Sequence, residues 1–137
     1  KTQGADCGGG NRKPLKFRRE RITRADRGGQ PWYFLDEGLY GTFSGVLFDQ
    51  WDFKLISFRE GEEKVAATFA GPSCDSLDIM FRGRMTVPLE VGDLLLVPSC
   101  GAYTSASATT FNGFSKAKFV IWERVKAEVE PPVQTGK

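Results

Sequence analysis

The chain has 137 residues, a net charge of +2, three cysteines and no histidine. That length forms one core-bearing domain, and the composition argues against a histidine-based zinc site and against a disulfide framework. The longest apolar run, Leu94 to Pro98, falls far short of the ~20 residues that cross a bilayer, so no membrane association is expected.

Cys7, Cys74 and Cys100 are irregularly spaced, as suits free thiols in a reducing cytoplasm. The first residue is Lys1, and no signal-peptide pattern follows, so a fragment or a processed product is expected. Charge is uneven. Residues 1–30 hold 9 Lys/Arg against 3 Asp/Glu, and residues 31–137 hold 10 against 14.

Residues 1–30 read as a poorly ordered basic leader, glycine-rich at Gly8-Gly9-Gly10 and Gly28-Gly29, with at most a short strand near Leu15 to Ile22. No nucleic-acid motif accompanies its charge, and no nucleic-acid partner is expected. From Trp32 the pattern changes. Trp32-Tyr33-Phe34-Leu35 favours a strand, and Asp36-Glu37-Gly38 signals a turn. Tyr40 to Phe48 reads as a strand with internal Gly41 and Gly45.

Strands are also expected at Lys54 to Phe58 and Lys64 to Phe69. Ser76 to Phe81 reads as a helical turn or a strand, and Met85 to Leu89 precedes the turn Glu90-Val91-Gly92-Asp93. Leu94 to Pro98 is a buried strand, Thr104 to Thr110 a small-residue stretch, and Lys118 to Arg124 a closing strand. Residues 126–137 read as a solvated tail. No stretch from 31 to 125 keeps a helical period over three turns. Short strands at roughly ten-residue spacing indicate an all-β fold, a Greek-key-like barrel or sandwich over residues 31–125 with short helical turns.

Several polar and reactive side chains sit in these turns. Cys74-Asp75 follows Gly71-Pro72-Ser73, which places the thiol on a turn. The adjacent carboxylate disfavours a thiolate, so Cys74 suits proton donation better than nucleophilic attack. Taken singly, Cys74 also reads as a small buried residue and Asp75 as a turn residue. Asp49, between aromatics in Leu47-Phe48-Asp49-Gln50-Trp51, suits a cation in concert with Asp75, or a plain turn. Tyr103 lies among small residues that let a ligand approach, and its phenol suits an anion such as phosphate. It reads equally as a loop anchor. Phe111-Asn112-Gly113-Phe114 reads alone as a hairpin turn with core anchors.

In combination these strings resemble the ornithine/lysine decarboxylase family of pyridoxal-phosphate (PLP) enzymes, in the alanine-racemase-like class, and within it ornithine decarboxylase most. The likeness runs from Trp32 to about Glu123. Its anchors are Asp36 to Phe43, Leu47-Phe48-Asp49, Gly71 to Asp78, Gly92-Asp93 and Gly101 to Phe114. The resemblance implies a C-terminal β-domain of a larger α/β-barrel enzyme that works as a homodimer with shared sites. It implies that Cys74 donates a proton after CO2 leaves and that Asp75 and Asp49 bind the far ammonium of a basic amino acid. It also implies that Tyr103 contacts the PLP phosphate and that Phe111 shapes the pocket. The product is then a polyamine-pathway diamine such as putrescine.

The chain carries neither the barrel nor its PLP lysine, so alone it is expected to be inactive. The rivals are a catalytically inactive, antizyme-inhibitor-like binding protein and an unrelated β-barrel module with a basic arm. Joint retention of Cys74, Asp75, Asp49 and Tyr103 favours the enzyme.

Overall fold

A computed structural model describes residues 22–48 and 51–118. Two glycines open the fold. Gly28 and Gly29 both take positive φ (+60° and +78°), as a two-residue hairpin turn demands. They join β1 (Thr23–Arg27) to β2 (Gln30–Phe34) in antiparallel register, with Arg27 opposite Gln30. Among the described residues the sheet therefore begins at Thr23. The part of the expected leader from 23 to 30 belongs to it, and the expected boundary at residue 31 falls inside a strand. The possible strand at 15–22 lies almost wholly outside the described residues, as do the closing strand beyond Lys118 and the tail.

β2 runs parallel to β4 (Val65–Ala70), which pairs antiparallel with β5 (Ile79–Thr86). The result is a mixed four-stranded sheet in the order β1-β2-β4-β5. Parts of the expected segments at 76–81 and 85–89 join as one strand, Ile79–Thr86. Between the pairs Ala67–Arg84 and Phe69–Phe81, Thr68 faces both Arg82 and Gly83, and Gly83 (φ +63°) supplies the bulge geometry. β3 (Ile56–Ser57) and β6 (Leu95–Leu96) form a separate antiparallel ribbon, shorter than the runs that suggested them. The architecture is the expected mostly-strand class with short helices.

Period-two alternation puts Tyr33 into the core while Trp32 and Phe34 take the opposite face. Tyr33 packs on Phe69 of β4, with ring centroids 5.5 Å apart, and its hydroxyl accepts the Leu89 N–H at 2.9 Å. A buried phenol is thereby satisfied. Phe43 meets Phe53 and Phe81 edge-on, closing the core from the loop side.

The expected strand from Tyr40 to Phe48 does not form. That segment is a run of turns ending in the short helix α1 (Gly45–Phe48). The reason is chemical. Glu37 Oε2 accepts the Thr42 N–H and Asp78 Oδ1 accepts the Leu39 N–H, each at 2.7 Å. The Gly38 carbonyl accepts the Gly41 and Phe43 N–H groups. Donors that a strand would offer to a neighbour are consumed locally. The small-residue stretch after Gly101 likewise forms helix α2 (Ala102–Ser107), where Thr104 Oγ1 donates to the Gly101 carbonyl at 2.7 Å.

Candidate functional site

The loop between β4 and β5 is built on Asp78. Its side chain is only 2% exposed, and its carboxylate accepts N–H groups from Leu39 (2.7 Å) and Ser73 (3.1 Å). A Cβ at Gly38 or Gly71 would collide with that carboxylate. The glycines of Gly71-Pro72 and Glu37-Gly38 thus make room for a buried acid as well as turning the chain. The Asp78 backbone closes the loop: its carbonyl accepts the Gly71 N–H and its N–H donates to the Asp75 carbonyl.

Cys74 stands on this loop with its side chain exposed and φ at +59°. Left-handed backbone is uncommon for a residue with a Cβ and is held only where the surroundings over-determine it. The nearest acceptor for the thiol is the Pro72 carbonyl, at a long 3.8 Å. The thiol is therefore presented outward and is not packed as a core residue.

Asp75 is held at both oxygens. Oδ1 accepts the Leu77 N–H at 2.8 Å, and Oδ2 accepts the Tyr40 hydroxyl at 2.7 Å. The Leu77 N–H and then the Tyr40 hydroxyl hold this carboxyl below its ordinary value, against a smaller opposing effect of burial. The same bond, with burial and the charges of Asp75 and Asp78, pushes the Tyr40 phenol up. The Tyr40 ring stacks on Phe111 at 4.1 Å and 20°. Phe111 opens a one-turn 3-10 segment, Phe111–Gly113, that lies against the loop.

Tyr103 projects from α2 and is 67% exposed. It lines a groove of about 320 Å³ with Ser44, Gly45, Phe48, Trp51 and Ser107 among others. A Ser44 Oγ–Ser107 Oγ hydrogen bond of 2.6 Å ties α2 to the start of α1 beneath the groove. A smaller cleft at the Asp75 side is lined by Tyr40, Ser73, Asp78 and Phe111 among others, and the two share no lining residue.

The structure therefore brings Cys74, Asp75 and Phe111 together and leaves Tyr103 on a separate surface. Asp49 lies outside the described residues. Among the described residues no cluster of three His, Cys, Asp or Glu is arranged for a metal. Three participants escaped sequence reading: Tyr40, Asp78 and Asn112. Each belongs to a string that drew attention, yet no spacing rule says that Tyr40 reaches Asp75 across 35 residues.

A family model described as the pyridoxal-dependent decarboxylase C-terminal sheet domain matches residues 18–101. The chain is 52% identical over 102 residues to the lysine/ornithine decarboxylase of Selenomonas ruminantium, a match covering 74% of this chain and 26% of that protein. The solved lysine decarboxylase of Selenomonas ruminantium aligns with a TM-score of 0.71 at 46% identity, covering 80% of this chain and 30% of that one. The lysine/ornithine decarboxylase of Vibrio vulnificus, solved with cadaverine, aligns with a TM-score of 0.68 at 41% identity, covering 72% and 27%. The chain spans less than a third of the length of these relatives.

Proposed function

The chain belongs to the pyridoxal-dependent decarboxylase family as its C-terminal sheet domain, and from that premise we propose that it completes a decarboxylase site acting on ornithine or lysine. The observation that carries this reading is the pairing on one loop of an outward thiol, Cys74, with a carboxylate, Asp75, kept ionised by Leu77 and Tyr40.

The division of labour follows from the side chains. Each Asp75 oxygen spends one lone pair on its fixed donor, which leaves acceptor capacity for an ammonium. A substrate whose far end is a cation suits that group, and a second acid at Asp49 would share it. Cadaverine bound to the Vibrio vulnificus relative has such an end. PLP, when bound, supplies the electron sink that makes loss of CO2 feasible. The Cys74 S–H then delivers its proton to the carbon that lost the carboxylate, and the thiolate left behind is reprotonated from solvent.

Tyr103 fits the phosphate end of that cofactor. Its exposed phenol is a donor, and small Gly45, Ala106 and Ser107 around the groove allow an anion to approach. The groove is open and suits one edge of the cofactor, with the remainder held by other parts of the enzyme. Because the Tyr103 groove shares no lining residue with the cleft that Pro72 and Ser73 of the Cys74 loop line, the reading assigns Tyr103 and Cys74 to two different sites of a homodimer. By itself the 137-residue chain is proposed to release no CO2.

The test uses the complete enzyme with PLP and either amino acid. Cys74→Ala is expected to lower kcat with KM nearly unchanged, and Asp75→Asn to raise KM. Mixing impaired Cys74→Ala and Tyr103→Ala protomers is expected to restore part of the lost activity, because one of the two sites in each mixed dimer then has both residues. Wild-type kcat for Cys74→Ala, with wild-type KM for Asp75→Asn, would overturn the reading.

A further inference from the structure

Asn112 is unclaimed by the chemistry above. It stands at φ +53° in the middle of the Phe111–Gly113 turn, a conformation that Asn tolerates better than most residues. Its side-chain amide donates a 2.7 Å hydrogen bond to the carbonyl of Ser73, 39 residues away. That carbonyl belongs to the peptide unit leading directly into Cys74. The amide thus grips the backbone at the point where the chain enters its left-handed turn.

The surroundings make this a fixed clamp. Ser73 is held from the other side, where its N–H donates to Asp78 Oδ2. Asn112 is held in turn. Phe111 stacks on Tyr40, the Phe111 N–H donates to Thr109 Oγ1 at 3.2 Å, and the Thr109 N–H donates to the Tyr40 carbonyl at 2.8 Å. The Cys74 thiol has only its long contact to Pro72. The backbone, gripped on both sides of Ser73, decides where the thiol points.

We propose that Asn112 is a positioning residue for the Cys74 thiol, and that its bond to the Ser73 carbonyl determines the face from which the product carbon is protonated. This rests on the proton-donor reading given above. The bond made is C–H at the carbon that lost CO2. The bond broken is S–H of Cys74, whose electron pair stays on sulfur until solvent returns a proton.

The experiment uses the complete enzyme turning over lysine or ornithine in D2O. The thiol exchanges to S–D, so the product diamine gains one deuterium at a centre whose handedness is measurable by NMR after chiral derivatisation. Wild type is expected to give one enantiomer. Asn112→Asp keeps the shape and the tolerance for positive φ, but replaces the donor with an oxygen facing the Ser73 carbonyl. Asn112→Gly keeps the turn and removes the side chain. Both are expected to reduce the enantiomer ratio by about tenfold, the equilibrium worth of one hydrogen bond.

A second readout is independent of turnover. The rate of Cys74 alkylation by iodoacetamide, mapped by peptide mass spectrometry, is expected to change severalfold in both variants, with buried Cys100 as the internal reference. Cys74→Ala separates the two claims. If it leaves the product enantiomerically pure, the proton-donor reading fails. If it scrambles the product while both Asn112 variants keep wild-type purity and wild-type Cys74 alkylation, the positioning role of Asn112 fails.

Discussion

Tyr40 and Asp75, 35 residues apart, share a 2.7 Å hydrogen bond in which the phenol donates to the carboxylate. The bond joins the loop after β2 to the loop after β4, and the Tyr40 ring carries Phe111 on its face. One side chain thus organises two of the residues assigned to the substrate. Tyr40→Phe keeps the stack and removes the donor. It is expected to raise the Asp75 pKa toward the ordinary carboxylate value, read by carbon-detected NMR titration, and to raise KM for a diamino acid more than it lowers kcat.

The same bond sets a pH dependence. The Asp75 carboxyl is lower in the folded protein than in the unfolded chain. Its contribution to stability is therefore fully present above the unfolded value and is lost as pH falls through the lower folded value. Urea melts of wild type and Tyr40→Phe are expected to differ at neutral pH and to converge in strong acid. A constant gap across that range would show that Asp75 is not the coupled group. Because Asp75 is only half-buried, the gap is expected to be small and to shrink with salt.

Asp78 predicts a larger effect. Asp78→Ala leaves the Leu39 and Ser73 N–H groups without their acceptor and opens a void between Gly38 and Gly71. Each of the two buried donors left unmade costs about 1–3 kcal/mol, so a loss of roughly 2–6 kcal/mol is expected by chemical denaturation. Gly71→Ala is expected to be destabilising for the complementary reason, since its methyl group meets the carboxylate. A loss below ~1 kcal/mol in both would show that Asp78 is not the hub of the loop.

Cys74 carries a trade between stability and chemistry. A non-glycine residue at φ +59° costs about 1–2 kcal/mol relative to glycine, less the greater freedom glycine gains in the unfolded chain. Cys74→Gly is expected to be as stable as wild type or slightly more stable, while on the proposed proton-donor role the complete enzyme loses activity. Thermal melts and initial rates on the same preparation check both halves. A clear loss of stability would mean that the thiol packs or bonds more strongly than its 3.8 Å contact implies.

These effects divide along what a linear sequence can carry. Trp32 to Leu35 and Lys64 to Phe69 were legible because β-favouring runs alternate between the faces of a sheet, and the reactive loop was legible as the string Gly71 to Asp78. Tyr40 to Phe48 misled because apolar residues with interior glycines resemble a bulged strand. The deciding carboxylates, Glu37 and Asp78, act on the backbone through space. Asp78 and Asn112 were in view only as members of longer strings, with no role of their own. Each has a partner 39 residues away, Leu39 for Asp78 and Ser73 for Asn112, a distance that no local pattern records. The β1–β2 hairpin was hidden for another reason: Gly28-Gly29 and the charges around it look like disorder until the positive φ angles are seen.

Tyr103 supplies the last prediction, because it stands apart from the Cys74 loop. If its phenol donates to the cofactor phosphate, Tyr103→Phe removes one charge-assisted hydrogen bond and leaves the ring in the groove. Such a bond is worth about 1.5–3 kcal/mol, so PLP affinity is expected to fall by roughly ten- to a hundredfold. Fluorescence titration of the complete apoenzyme with PLP measures that loss directly. At saturating PLP the variant should regain a KM for the amino acid close to wild type, since Tyr40, which holds Asp75, lines the other cleft. Unchanged PLP affinity would remove Tyr103 from the cofactor. A raised KM at saturating PLP would instead place its phenol on the substrate.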